Sequence, residues 1–91
     1  MKRSDLNQSA IIKCLRAVGC SVAVTSQLGY GFPDIVVGFL GKNYLFEIKN
    51  ISTHGKLNDS QLDFHSKWKG KIFIVYSIQD IYKILGVIGY D

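Results

Sequence analysis

The chain has little to hold it together except its own core. Its 91 residues include two cysteines, Cys14 and Cys20. Two thiols are too few for a disulfide framework, and neither has a neighbour at metal-ligand spacing. Both are expected to be reduced and buried, Cys14 on the inner face of a helix and Cys20 at the start of a strand. The longest apolar runs, such as residues 35–40, fall far short of the roughly 20 residues that span a bilayer. Lys2, Arg3 and Asp5 lead into an amphipathic stretch, so no export signal is expected. No helix-turn-helix, zinc finger or RNA-stacking motif is present. Repeats, low-complexity segments and linkers are missing as well. These absences exclude disulfide-stapled and membrane-spanning classes, and they leave one soluble, cytoplasmic domain over residues 1–91.

Hydrophobic residues make up 47% of the chain, which is ordinary for a globular protein and too high for disorder. The formal net charge is +4, and the pI is about 9.2. This basic excess is modest. It suits a polyanionic partner without requiring one.

Periodicity gives the elements. Ser4 can cap a helix that Gly19 ends, with Leu6, Ala10, Cys14, Leu15 and Val18 as its buried stripe. Residues 21–25 are short and β-branched and read as a strand. Residues 26–32 hold two glycines and read as a loop. Pro33 opens a strand over 35–39, where a proline costs little. Gly41-Lys42-Asn43 then turns the chain into a strand over 44–49, closing a hairpin. Residues 50–56 are polar and loop-like. Asn58 and Gln61 have capping-box spacing before a helix, and Leu57 and Leu62 that of a hydrophobic staple. Leu62, His65 and Trp68 form the helix's packed face, and Gly70 ends it. Residues 71–76 are apolar almost throughout and are expected to form a central strand covered on both sides. Ser77 caps a last helix. The order is α-β-β-β-α-β-α, an α/β fold with a mixed sheet flanked by helices, in which the last strand joins parallel to the hairpin.

The chemistry gathers in the hairpin. Glu47 and Lys49 are two apart on a strand and share a face. The reversal brings Asp34 alongside that end. Two carboxylates about 4 Å apart repel by roughly 4 kcal/mol at an effective dielectric near 20, so the pair needs positive charge. Lys49 supplies part of it. A divalent cation supplies more, and an all-oxygen set suits Mg2+ or Mn2+. The backbone carbonyl of Ile48 is a third candidate ligand. The plainer alternative is a Glu47–Lys49 ion pair with Asp34 capping a turn. It leaves unexplained why the charges cluster at one end of strands that are otherwise apolar.

These residues resemble the PD-(D/E)XK nucleases: Pro33-Asp34, then Glu47-Ile48-Lys49, after a leading helix. The likeness is closer to the stand-alone VRR-NUC domains of phages and bacteria, which resemble Holliday-junction resolvases. It runs through Gly31-Phe32-Pro33-Asp34-Ile35, Phe46-Glu47-Ile48-Lys49, Lys56-Leu57 and Gln61, and on through His65, Trp68, Gly70 and Ser77-Ile78-Gln79-Asp80. The resemblance implies a restriction-endonuclease-like core. It implies Asp34 and Glu47 as metal ligands, Lys49 orienting the attacking water, and Gln61 touching Lys49, a water or the scissile phosphate. The products implied are a 5′-phosphate and a 3′-hydroxyl. Many relatives carry a glutamate in the first helix facing the metal; here the candidates are Asp5 and Gln8, with capping or exposure as the alternative for both. Gln61 has a second reading as half of the capping box, and His65 as a packing residue.

Lys56, His65 and Arg3 are expected to contact DNA, with Lys13, Arg16, Lys42, Lys67, Lys69 and Lys71 adding charge that meets phosphates and reads no sequence. The resulting expectation is a metal-dependent, structure-selective endonuclease for branched DNA such as Holliday junctions, in a bacterial or phage-infected cell. Two symmetric cuts call for two sites, so a homodimer is expected. The alternatives are a nicking or flap nuclease, or a non-catalytic DNA-binding module of the same fold.

Overall fold

The computed structural model describes residues 3–50 and 56–88, with side chains from Asn7 onward. Its elements run α1 (Arg3–Ala17), β1 (Ser21–Val24), β2 (Ile35–Phe39), β3 (Lys42–Ile48), α2 (Asp59–Lys67), β4 (Ile72–Val75) and α3 (Ile78–Leu85). This is the α-β-β-β-α-β-α order that periodicity predicts. The strands form one sheet in the order β1-β2-β3-β4. β1 with β2 and β2 with β3 pair antiparallel, and β3 with β4 pairs parallel.

The period-two alternation of the strands sets the core. Ile35 and Val37 of β2, Phe46 and Ile48 of β3 and Val75 of β4 are buried on one face. Ile11 and Leu15 of α1 and Ile81, Tyr82 and Leu85 of α3 belong to the same cluster. Phe46 stacks on Tyr44 with ring centroids 6.0 Å apart and meets Phe73 at 5.7 Å. Glu47 lies between Phe46 and Ile48, so its side chain leaves by the opposite face. That alternation takes a charged residue out of the core and leaves it at the end of a packed strand.

Several details differ from the sequence reading. α1 is already helical at Arg3, so Ser4 lies inside it and is not its cap. α1 buries Ile11 and Leu15, while Ala10 and Cys14 are exposed. The two adjacent isoleucines, Ile11 and Ile12, draw the buried stripe round the helix, because larger side chains gain more from burial. Cys20 is buried as expected, and its thiol pKa is raised by burial. The hairpin turns on Leu40-Gly41, with φ of 50° and 79°, so β3 starts at Lys42. Two central residues at positive φ match the right-handed twist of the paired strands. β4 is an edge strand rather than a central one: among the described residues it pairs with β3 alone, and Ile74 is 42% exposed. On α2, Leu62 is 53% exposed and lies off the packed face. Gln61, Phe64, His65 and Trp68 form that face at helical spacing.

Two caps are as expected. Asn58 and Gln61 make a reciprocal capping box, and Ser77 accepts the amide of Asp80. Among the described residues no helix is long and apolar enough to cross a membrane.

Candidate active site

Asp34 is the residue before β2 and is fixed by its backbone from two sides. Its N–H donates to the carbonyl of Phe46 at 3.0 Å, and its carbonyl accepts the amide of Thr25 at 2.8 Å. The Thr25 hydroxyl donates to the carbonyl of Pro33 at 2.7 Å, which clasps the same corner. The Asp34 carboxylate therefore has little freedom, and Oδ2 accepts the amide of Ile48 at 2.8 Å. The hairpin thus sets Asp34 against the Glu47-Ile48-Lys49 end of β3.

Glu47 is only 1% exposed. Its Oε2 accepts the side-chain amide of Gln61 at 3.0 Å and lies 3.8 Å from the Lys49 ammonium. Among the described residues its buried Oε1 has no hydrogen-bond donor. Burial is the main reason that the Glu47 carboxyl is pushed up to about 8; the Asp34 carboxylate beside it adds to the shift, and Lys49 works against it. At neutral pH without a cation, this pair therefore tends to keep a proton.

Lys49 is largely enclosed and donates to Oε1 of Gln61 at 2.7 Å. The same oxygen accepts the amide of Asn58 at 2.9 Å, and Asn58 Oδ1 accepts the amide of Gln61 at 2.9 Å. Gln61 therefore plays both parts that its position allows. It closes the cap of α2, and its two amide atoms hold Lys49 and Glu47.

The donor set suits a hard cation. Two carboxylates meet there, and among the described residues one of their oxygens is enclosed without a partner. Among the described residues no cluster of three or more His, Cys, Asp or Glu exists. Ile48 turns its side chain into the core and gives its amide to Asp34.

The remaining expected residues are more scattered. Gln8 donates to the hydroxyl of Ser26 at 3.4 Å, at the sheet end where Asp34 sits. The side chains of Asp5 and Arg3 lie outside the described residues. Lys56 is exposed. His65 is half-buried; its Nε2 is enclosed without a partner among the described residues, so that nitrogen does not reach solvent where a phosphate would meet it. Burial and the charge of Lys49 both lower its pKa.

No protein-family model matches the chain, and no curated protein matches it. Among solved structures it superposes on a VRR_NUC domain with a TM-score of 0.71, covering 98% of this chain and 100% of that one, at 23% identity. This is the VRR_NUC fold. Within it, the mixed sheet and its helices place Asp34, Glu47, Lys49 and Gln61 at one end of β2 and β3.

Sequence reasoning missed what holds α2 in place. Phe32, next to the Pro33-Asp34 corner, packs edge-on against Phe64 at 5.3 Å and Trp68 at 6.3 Å, and those two rings stack at 5.2 Å. Gly31 lies so close to α2 that a Cβ there would run into the carbonyl of Ser60. The available signal was the spacing of Gln61, Phe64 and Trp68, which puts the two aromatics on the face that carries the glutamine.

Proposed function

We propose that this protein is a metal-dependent DNA endonuclease that hydrolyses phosphodiester bonds in branched DNA such as Holliday junctions. The observation that carries the reading is the Glu47 carboxylate, buried beside Asp34 with one oxygen tied to Gln61 and the other lacking a donor among the described residues. A carboxylate is costly to bury in this way unless something positive completes it. The similarity of the fold to a VRR_NUC domain supports the same reading.

Asp34 and Glu47 are the residues that would hold Mg2+ or Mn2+, with the Ile48 carbonyl as a further ligand. Such an ion, when bound, lowers the pKa of a water and polarises a phosphoryl oxygen. Lys49 stands beside the carboxylates with its ammonium anchored on Gln61. There it can orient the attacking water and offset the charge that builds on the phosphate. The water oxygen bonds to phosphorus in line with the departing 3′ oxygen, which leaves a 5′-phosphate and a 3′-hydroxyl. Gln61 positions both neighbours and keeps them apart from bulk water. The exposed lysines, Lys56 among them, supply affinity through phosphates. Two symmetric cuts across a junction need two such sites, and a two-fold homodimer provides them. Exposed apolar residues such as Ile74 and Ile88 are available for that contact.

The test is cleavage of junction, flap, duplex and single-stranded DNA with Mg2+, Mn2+ or chelator, using wild type and Lys49→Ala. We expect cation-dependent cutting that is strongest on the junction. Lys49→Ala should still bind DNA but cut about 10²–10³-fold more slowly. Cutting that survives chelation, or an unimpaired Lys49→Ala, would overturn the reading. Light scattering that shows a monomer with junction cleavage intact would remove the dimer.

A further inference from the structure

We infer that Tyr30 is a stacking platform for an unpaired nucleobase beside the scissile phosphate, an inference that rests on the nuclease reading above. Tyr30 is 93% exposed and has φ of 57°. It lies between Gly29 and Gly31, whose φ values are 79° and 81°. The amide of Phe32 donates to the carbonyl of Gly29 at 3.1 Å, closing a turn whose two central residues, Tyr30 and Gly31, are both left-handed. Glycine, asparagine and aspartate suit the first central position; a tyrosine there is strained.

The Leu40-Gly41 turn has the same pair of positive φ angles, but it joins the facing ends of β2 and β3 directly and its twist fits theirs. The Tyr30 turn lies inside the longer loop that joins β1 to β2, several residues beyond their last pair, Val24 with Ile35, so the strand twist does not reach it directly. The ring gains nothing inside the molecule either. Among the described residues no hydrogen bond, ion pair or ring contact holds the Tyr30 side chain. A strained backbone that presents an uncovered aromatic ring points outward, to a ligand.

The turn is also braced. Gly31 abuts the backbone of Ser60, Phe32 packs on Phe64 and Trp68, Pro33 is buried, and Thr25 clasps the Pro33 carbonyl. The next residue is Asp34. Tyr30 thus presents its ring from a braced backbone four residues before Asp34, and ordering that backbone on binding costs little. Stacking on an aromatic face accepts any base, because every base has a π face. It gains most from a base with no stacking neighbour, as at a branch point, and it needs none of the sequence-reading motifs that this chain lacks.

The experiment uses the full chain in chelator, so that nothing is cut, with a branched oligonucleotide carrying 2-aminopurine at an unpaired branch-point position. A fully paired duplex is the control. Wild type and Tyr30→Phe should quench the probe and bind the branch about tenfold more tightly than Tyr30→Ala. All three should bind the paired duplex alike. Tyr30→Gly, free of the left-handed strain, should melt no lower than wild type, which separates lost stacking from lost folding. Cleavage with Mg2+ or Mn2+ is measured in parallel. If wild type cuts DNA and Tyr30→Ala matches it in quenching and branch affinity, the inference fails alone. Equal loss on branch and duplex, or a change only in the oligomeric state of Tyr30→Ala, also overturns it. A wild type that neither binds nor cuts any DNA overturns the nuclease reading and this inference with it.

Discussion

The Lys49 ammonium donates to Oε1 of Gln61 across 2.7 Å, and that oxygen is the one that also accepts the Asn58 amide. One side chain therefore ends a helix and holds a charged pair, and two variants can separate these tasks. Asn58→Ala removes the cap and should lower stability by about 0.5–2 kcal/mol. It leaves the Gln61 contacts to Lys49 and Glu47 in reach, so cleavage should change little. Gln61→Ala strips a partner from Glu47 Oε2 and from Lys49, at about 1–3 kcal/mol for a buried group left unpaired. Its cleavage should fall about 10–100-fold, the range seen when groups that orient a metal site are removed. Thermal melts beside cleavage rates check both. A Gln61→Ala protein that melts lower yet cuts at full rate would leave Gln61 as a cap and nothing more.

Glu47 should make the metal-free protein sensitive to alkali. Its carboxyl titrates near 8 in the fold, against an ordinary value of 4.5. Between those values the unfolded chain has released a proton that the folded chain keeps. Folding stability is therefore undiminished by this group below about pH 4.5, falls as pH rises toward 8, and levels off above. The slope is about 1.4 kcal/mol per pH unit where the two states differ by a whole proton. His65 acts the other way: its pKa is lowered, so its contribution is lost as pH falls below its ordinary 6.5. Subtracting Glu47→Gln from wild type isolates the carboxyl. In chelator, wild type should lose melting temperature relative to Glu47→Gln as pH climbs from 5 to 8. Mg2+ should recover more of it at pH 8 than at pH 5.5, because a cation favours the ionised form. Parallel curves for the two proteins in chelator would mean that Glu47 is not perturbed.

The clustering of the candidate site is legible in the sequence because its geometry is local. Glu47 and Lys49 share a face by strand periodicity, and one hairpin brings Asp34 to them, so three residues follow from a short stretch of chain. β2 was read to the residue, since Pro33 and the turn bracket it. What escaped depends on contacts distant in sequence or on apolar runs that look alike. Residues 71–76 have the composition of a central strand, yet β4 lies at the edge with Ile74 uncovered. In α1, Ile11 and Ile12 blur the helical period, and the small residues Ala10 and Cys14 were credited with burial that their larger neighbours take. Leu40 does not advertise a turn at positive φ. The approach of Gly31 to Ser60 has no local signal at all.

That approach sets where Gln61 stands. A Cβ on Gly31 would strike the carbonyl of Ser60 and come within 2.9 Å of the Gln61 amide, both of them backbone atoms at the start of α2. Gly29 is the matched control: its φ of 79° is almost that of Gly31 at 81°, but a Cβ there meets nothing. Gly29→Ala should therefore cost only the left-handed backbone term, about 1–2 kcal/mol, and cut normally. Gly31→Ala carries the same term and must also push α2 away, taking Gln61 from Lys49 and Glu47 and loosening the Phe32–Phe64 contact. Its melting temperature should fall below that of Gly29→Ala. Its cleavage, measured well below either melting point, should fall about 10–100-fold, as for Gln61→Ala. Equal cleavage by the two glycine variants would show that α2 can shift without disturbing the pair, and the position of Gln61 would then not depend on Gly31.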